Sequence, residues 1–178
     1  MDSINKNQEE HNMKDLQGKE AAAKIKELAE TAGTCFFCTN LQKGKAFSTR
    51  PMGIIKVDNE GDLWFLSAND SDKNAEIAAD PNVQLLCQGS PHSDFLSIFG
   101  TATITTDKAK IKELWTPIAK DWFTEGENDP RITVIKVEMK QGYYWDTVHG
   151  RIVSLIKIVA GAIIGKTMDD SIEGKLKA

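Results

Sequence analysis

The chain has 178 residues, 40% of them hydrophobic and 27% charged, with a formal net charge of −4. Those values fit one soluble domain with one core and exclude an overall positive field that would gather a nucleic-acid backbone. The most apolar run, SLIKIVAGAIIG at 154–165, carries Lys157 and falls short of the ~20 apolar residues a spanning helix requires. With three cysteines and no apolar leader in MDSINKNQEEHNMKDLQGKE, the expected setting is the reducing cytoplasm.

In chain order, residues 1–18 are polar and aperiodic and read as a mobile tail. Ala22, Ile25, Leu28 and Ala29 recur at helical spacing and predict a helix over 19–32, stopped by Gly33. The period then changes. TCFFCTNL (34–41) and KAFSTRPMGIIKVD (45–58) read as two extended runs, DNEG (58–61) as a turn, and DLWFLSA (62–68) as a third strand. A short helix over 71–80 starts at Ser71, a good capping residue, and ends at Pro81. NVQLLCQG (82–89) and FLSIFGTATITTD (95–107) are the fourth and fifth strands. Residues 107–123 predict a helix capped by Asp107 and bent or broken at Pro117. RITVIKVEMKQGYYWD (131–146) is a long sixth strand, a helix with an apolar face covers 152–164, and 166–178 is a loose end or one short strand.

Six strands in short-linked succession, with helices inserted at few points, argue for a mainly β protein: an antiparallel barrel with flanking helices. The expected organisation is a tail over 1–18, a barrel over 19–150, and a C-terminal helix and tail over 151–178 packing on the barrel or on a partner subunit.

The Cys35-x-x-Cys38 pair invites a redox or zinc reading, and strand geometry opposes it. Residues i and i+3 of a strand point to opposite faces, so the two thiols share neither a metal nor an undistorted disulfide. No helix follows to lower a thiol pKa, and no second cysteine or histidine pair completes a tetrahedral zinc site. Core cysteines are the expectation. His92, in a loop, and His149, after the last strand, read as solvated residues, and no Ser/His/Asp set or carboxylate pair emerges from the spacing.

Two stretches do point to a ligand. FSTRPM places Arg50 in an extended apolar run directly before Pro51, whose missing donor suggests a sheet edge or bulge. The third strand ends in Ser67 and runs through Ser71 into a helix start carrying Lys73. Hydroxyls, a lysine and a helix N-terminus suit an anion such as a phosphate, although the same residues also suit a capped helix with a solvated lysine.

The segment TRPMGIIKVDNEGDLWFLSANDSDKNAEIAADPNVQLL, followed by FGTATITTD, WF-x-x-G-x-x-DP and YYWD, resembles the pyridoxamine 5′-phosphate oxidase-like split barrels, in particular their general stress protein 26 group. The resemblance spans residues 19–165. It implies a six-stranded antiparallel split barrel that forms a homodimer, with flavin mononucleotide (FMN) in clefts at the subunit interface. The dinucleotide FAD presents the same first phosphate and ring. By this resemblance Arg50 and Lys73 match the phosphate side, with Ser71 beside them. Pro51 and Met52 match backbone contacts to the ring, and Leu66 and Ser67 contacts to ribityl and phosphate. Phe95, Ser97 and Trp145 fall where the partner subunit closes the cleft. Trp64, Trp122 and Trp145 are candidates for a flat apolar wall as well as for core aromatics.

Departures from the oxidase pattern bear on activity. Ile55 stands where the oxidase carries its substrate-phosphate lysine, with Lys56 one place off and so on the other strand face. Asp72 stands where an arginine neighbours the phosphate lysine, and DTVHGR offers His149 and Arg151 in the wrong order for the substrate-gripping pair. The expectation is a flavin-binding stress protein, an oxidoreductase on a small acceptor but not a true pyridoxamine phosphate oxidase. The alternatives are a non-catalytic flavin reservoir or sensor, or a member that has lost the cofactor. No catalytic residue and no metal ligand is assigned.

Overall fold

A computed structural model describes residues 13–91, 93–147 and 171–178. Among these residues the architecture is one sheet of nine strands with three α-helices against it: β1 Leu16–Gln17, α1 Gly18–Ala32, β2 Thr34–Thr39, β3 Ser48–Gly53, β4 Lys56–Val57, β5 Leu63–Ala68, α2 Asp72–Ala79, β6 Asn82–Gln88, β7 Phe95–Thr105, α3 Lys108–Leu114, β8 Ile132–Thr147 and β9 Ser171–Lys177. The expected count was six. The second extended run divides into β3 and β4, while β1 and β9 join one edge of the sheet.

The pairing returns on itself. β2 lies between β3 and β6, β6 pairs β7, β7 pairs β8, and the first part of β8 pairs β5. The chain between β3 and β4 hands over from one neighbour to the next: the amide of Ile54 donates to Gly33 O (2.9 Å) and that of Ile55 to Trp64 O (2.9 Å). β9 takes the edge of β8 beyond the end of β5, through pairs from Gln141↔Lys177 to Thr147↔Ser171. The result is mainly β, with a split-barrel-like path.

Local chemistry explains the elements. Gly33 ends α1 in the left-handed region at φ 64°, and its amide donates back to Ala29 O, the arrangement glycine favours just past a helix. Gly61 closes the Asp58–Gly61 turn at φ 83°, and a Cβ there would lie 3.0 Å from the Ala22 backbone, so glycine also lets α1 approach. Asp107 caps α3 by accepting from the amides of Ala109 and Lys110.

The helix expected over 107–123 is broken as Pro117 requires. α3 stops at Leu114, Trp115 and Thr116 are extended, and a 3₁₀ turn covers Pro117–Asp121. Ser71, expected to cap α2, takes the N-cap position without its side chain capping the first turn. Met13 to Gln17, expected in the polar tail, pair with the last strand: Leu16↔Leu176, Gln17↔Lys177 and a bridge Met13↔Glu173. The helix expected over 152–164, and with it His149 and Arg151, lies outside the described residues, as does His92.

Strand alternation sorts side chains into two clusters. Leu63 and Phe65 of β5 join Phe37, Leu85, Ile98, Ile135 and Val137 inside the sheet, closed at one end by Ile25, Leu28 and Ala29 of α1. Phe37 and Phe65 meet edge to face at 5.3 Å. The outward residues Trp64 and Leu66 pack instead on a smaller cluster, in which Ile111 and Leu114 of α3 meet Ile132 and Val134 of β8. Among the described residues no helix is long and apolar enough to cross a membrane.

Candidate functional site

β3 is the last strand in its direction of the sheet order, which leaves Pro51 on an edge where its missing N–H costs no ladder bond. Residues opposite each other in a ladder share a face, so Arg50 lies on the side of Phe37, its partner on β2. Its guanidinium there meets α2. It donates to Glu76 Oε2 (2.7 Å) and to Thr39 Oγ1 (2.9 Å), while Ser48 Oγ donates to Glu76 Oε1 (2.8 Å). Burial acts to raise the Glu76 pKa, but hydrogen bonds from Thr39, Ser48 and Arg50 outweigh it and hold the carboxyl below its usual range.

The start of α2 gathers the remaining polar groups. Ser67, 3% exposed at the end of β5, donates to Asn74 Oδ1 (2.7 Å) and lies 3.2 Å from Ser71 Oγ. Asn74 donates to Thr133 Oγ1 (2.9 Å), and Thr133 donates to the Ser67 carbonyl (3.0 Å), a closed network that fixes the strand end against the helix. The Lys73 ammonium donates to Ser71 Oγ (3.3 Å). Among the described residues it forms no ion pair. Burial, and then the nearby Arg50 charge, push its pKa below that of an ordinary lysine, with Asp70 opposing. Two cations thus share a partly buried polar cluster in which the Glu76 carboxylate bonds to Arg50, while Lys73 forms no ion pair and feels Asp70 only at longer range. Such a donor set fits a phosphate: ammonium, hydroxyls and a helix start without a side-chain cap.

Of the residues singled out in the sequence, Arg50, Ser67, Ser71 and Lys73 come together here. Leu66 is adjacent in sequence but turns to the smaller cluster. Met52 lies opposite Cys35 and packs on the main core. Pro51 and Phe95 line a separate open cavity of about 330 Å³. Trp145 is directly opposite Phe95 in the β7–β8 ladder, its ring 4.6 Å from that of Tyr143. Ser97 accepts from Gln84 Nε2 (3.0 Å). The row Ser97, Leu86, Phe36, Pro51 crosses four strands on one face, and the neighbouring row Ile98, Leu85, Phe37, Arg50 lies on the other. Within one chain, therefore, Ser97 and Arg50 face opposite sides of the sheet.

The tryptophans separate as well. Trp64 donates to Asp58 Oδ2 (2.9 Å) and has Lys110 4.3 Å and Lys136 5.6 Å from its ring centre, while Trp122 is 66% exposed. Lys56 is exposed and paired with Glu113 (2.7 Å), outside the phosphate cluster. Sequence reasoning missed Glu76, Thr39, Ser48, Asn74 and Thr133. The available signal for Glu76 was its place three residues after Lys73, on one helix face.

Comparison with known proteins agrees with this fold. Protein bli-3 of Neurospora crassa is 28% identical over 127 residues, a match covering 66% of this chain and 61% of that protein, less than two thirds of its length. A solved structure of a candidate general stress protein 26 from Jannaschia sp. CCS1 superposes with TM-score 0.74 at 22% identity, covering 89% of this chain and 99% of that one. The general stress FMN/FAD binding protein of Xanthomonas citri superposes with TM-score 0.58 at 23% identity, over 70% of this chain and 86% of its own. At these identities the two structures establish a shared fold. The sequence itself carries the assignment further: residues 20–169 match the model of the family described as pyridoxamine 5′-phosphate oxidase like, and the chain belongs to that family.

Proposed function

We propose that the protein binds flavin mononucleotide and is a flavin-dependent oxidoreductase acting on a small acceptor, in the manner of a general stress protein. The observation that carries this reading is Lys73, a half-buried cation with lowered pKa, no carboxylate partner among the described residues, and Ser67 and Ser71 hydroxyls beside it. Lys73 would pair with the phosphate, and Arg50, oriented by Glu76 and Thr39, would hold positive charge next to it. FAD would present the same phosphate to the same residues. A bound flavin would supply two-electron chemistry, and the chain would supply binding and orientation.

The face argument supports a homodimer. Phe95 and Trp145 lie on the Ser97 side of the sheet, opposite Arg50, so these residues would serve one ligand only if a second copy brought them to it. Protein incubated with FMN and freed of excess should keep an oxidised-flavin absorbance band. Adding NADPH or NADH without air should bleach that band, and oxygen should restore it. A retained band that never bleaches favours the reservoir or sensor reading, and the absence of any retained band contradicts the proposal. The same preparation should melt at higher temperature and shift toward dimer as FMN is added, because a ligand held by two subunits stabilises their association.

A further inference from the structure

Cys35, Cys38 and Cys87 are all buried free thiols, and two of them form a pair invisible in the sequence. Cys35 on β2 lies directly opposite Cys87 on β6 in the antiparallel ladder. Opposed residues in such a ladder have Cα atoms about 4.5–5.5 Å apart, inside the roughly 4.4–6.8 Å that disulfides bridge, so the backbone already meets the span of a bond. The neighbouring Cys87 thiol, and then burial, push the Cys35 thiol far above its ordinary pKa. Both are only 5% and 4% exposed and belong to the main core on the Phe37 side of the sheet; they back an open cavity of about 330 Å³ that Phe36, Pro51 and Leu86 border from the opposite face. Cys38 projects from the other face of β2, lies 3.3 Å from Thr49 Oγ1, and does not line that cavity.

We propose that Cys35 and Cys87 form a dithiol site that a small hydroperoxide oxidises to a cross-strand disulfide. In the first step one sulfur attacks the peroxide. The O–O bond breaks, a sulfenic acid forms, and the thiol proton leaves with the released oxygen as an alcohol, or as water when the oxidant is hydrogen peroxide. In the second step the other sulfur displaces the sulfenic oxygen. The S–S bond forms, the S–O bond breaks, and the second thiol proton leaves with the hydroxide as water. The two thiols together give up two electrons and two protons, all accepted by the peroxide. Since the thiolate is the attacking form and Cys35 is held protonated, closure is slower than for an exposed cysteine. The site answers sustained oxidation and is not a rapid peroxidase.

The test uses the full chain, independently of any flavin. Protein is treated with hydrogen peroxide, freed of oxidant, unfolded in an alkylating reagent and weighed intact, with a parallel proteolytic map. The expected result is one alkylated thiol out of three, a parent mass lower by two hydrogens, a cross-linked peptide pair joining residues 35 and 87, and full reversal by dithiothreitol. Cys35→Ala and Cys87→Ala should each abolish the cross-link. Cys38→Ala should leave it intact, and this variant keeps both proposed thiols should either of the others fail to fold. Three alkylatable thiols after treatment, a bond involving Cys38, or Cys35 and Cys87 gaining oxygen without joining would each overturn the proposal.

Discussion

Replacing Lys73 with alanine is expected to weaken FMN binding tenfold to a hundredfold while leaving riboflavin binding almost unchanged. Hydrogen bonds to a charged group contribute about 1.5–3 kcal/mol each, and a tenfold change in affinity corresponds to about 1.4 kcal/mol. Lys73 is half-buried beside Arg50 and forms no ion pair among the described residues, so the phosphate is where its loss is felt. Lys56→Ala is the control. Lys56 is exposed and paired with Glu113, and its removal should leave both ligands unaffected. General damage would weaken FMN and riboflavin together, which separates it from a phosphate role. The pH dependence has a definite sign. Burial and then Arg50 hold Lys73 below the ordinary lysine value of 10.5, so in the ligand-free protein it loses its proton at a lower pH than a free lysine. FMN affinity should therefore fall with rising pH before 10.5 is reached, and the fall should be absent in Lys73→Ala. Fluorescence titration of both ligands across pH measures all of these effects.

Phe37→Ala should produce the largest loss of stability. Phe37 is fully buried in the main cluster and meets Phe65 edge to face at 5.3 Å and 89°. Truncating a buried phenylalanine costs about 3–5 kcal/mol, from lost transfer energy and the cavity left behind. For a chain of this size each kcal/mol moves the melting temperature about 2–4 °C, so the expected drop is roughly 6–20 °C. Trp122→Ala removes a larger ring that is 66% exposed and should shift stability by no more than about 0.5 kcal/mol. Thermal melts followed by circular dichroism compare the two. Equal effects would mean that the sheet does not close around Phe37.

Features governed by neighbouring residues were legible in the sequence. The helix ending at Gly33, the cap at Asp107, the break before Pro117 and the alternation of β5 each depend on a few adjacent positions. Features that depend on register between distant strands were not. Nothing local places Cys87 opposite Cys35, Glu76 against Arg50, or Thr133 beneath Ser67. For the same reason the strand count came out at six where the sheet has nine. β4 is two residues long, and β1 becomes a strand only because residues 171–177 lie alongside it. Ser71 has the right residue type and position for a cap, yet its hydroxyl turns toward Ser67, Asn74 and Lys73, groups whose convergence only the fold creates. The same separation runs through the site. The Arg50 and Lys73 half emerged from one contiguous motif, whereas Phe95, Ser97 and Trp145 were assigned through family resemblance and lie on the far face of the sheet.

The most direct test of the central claim is a paired titration of the wild-type protein with FMN and with riboflavin, followed by flavin fluorescence at fixed pH and salt. The two ligands share the ring and ribityl chain and differ in the phosphate. Saturable binding of one FMN per chain, at least tenfold tighter than riboflavin, is the result expected of the Lys73 pocket. Equal affinity for the two ligands, or no saturable binding of FMN, would contradict it.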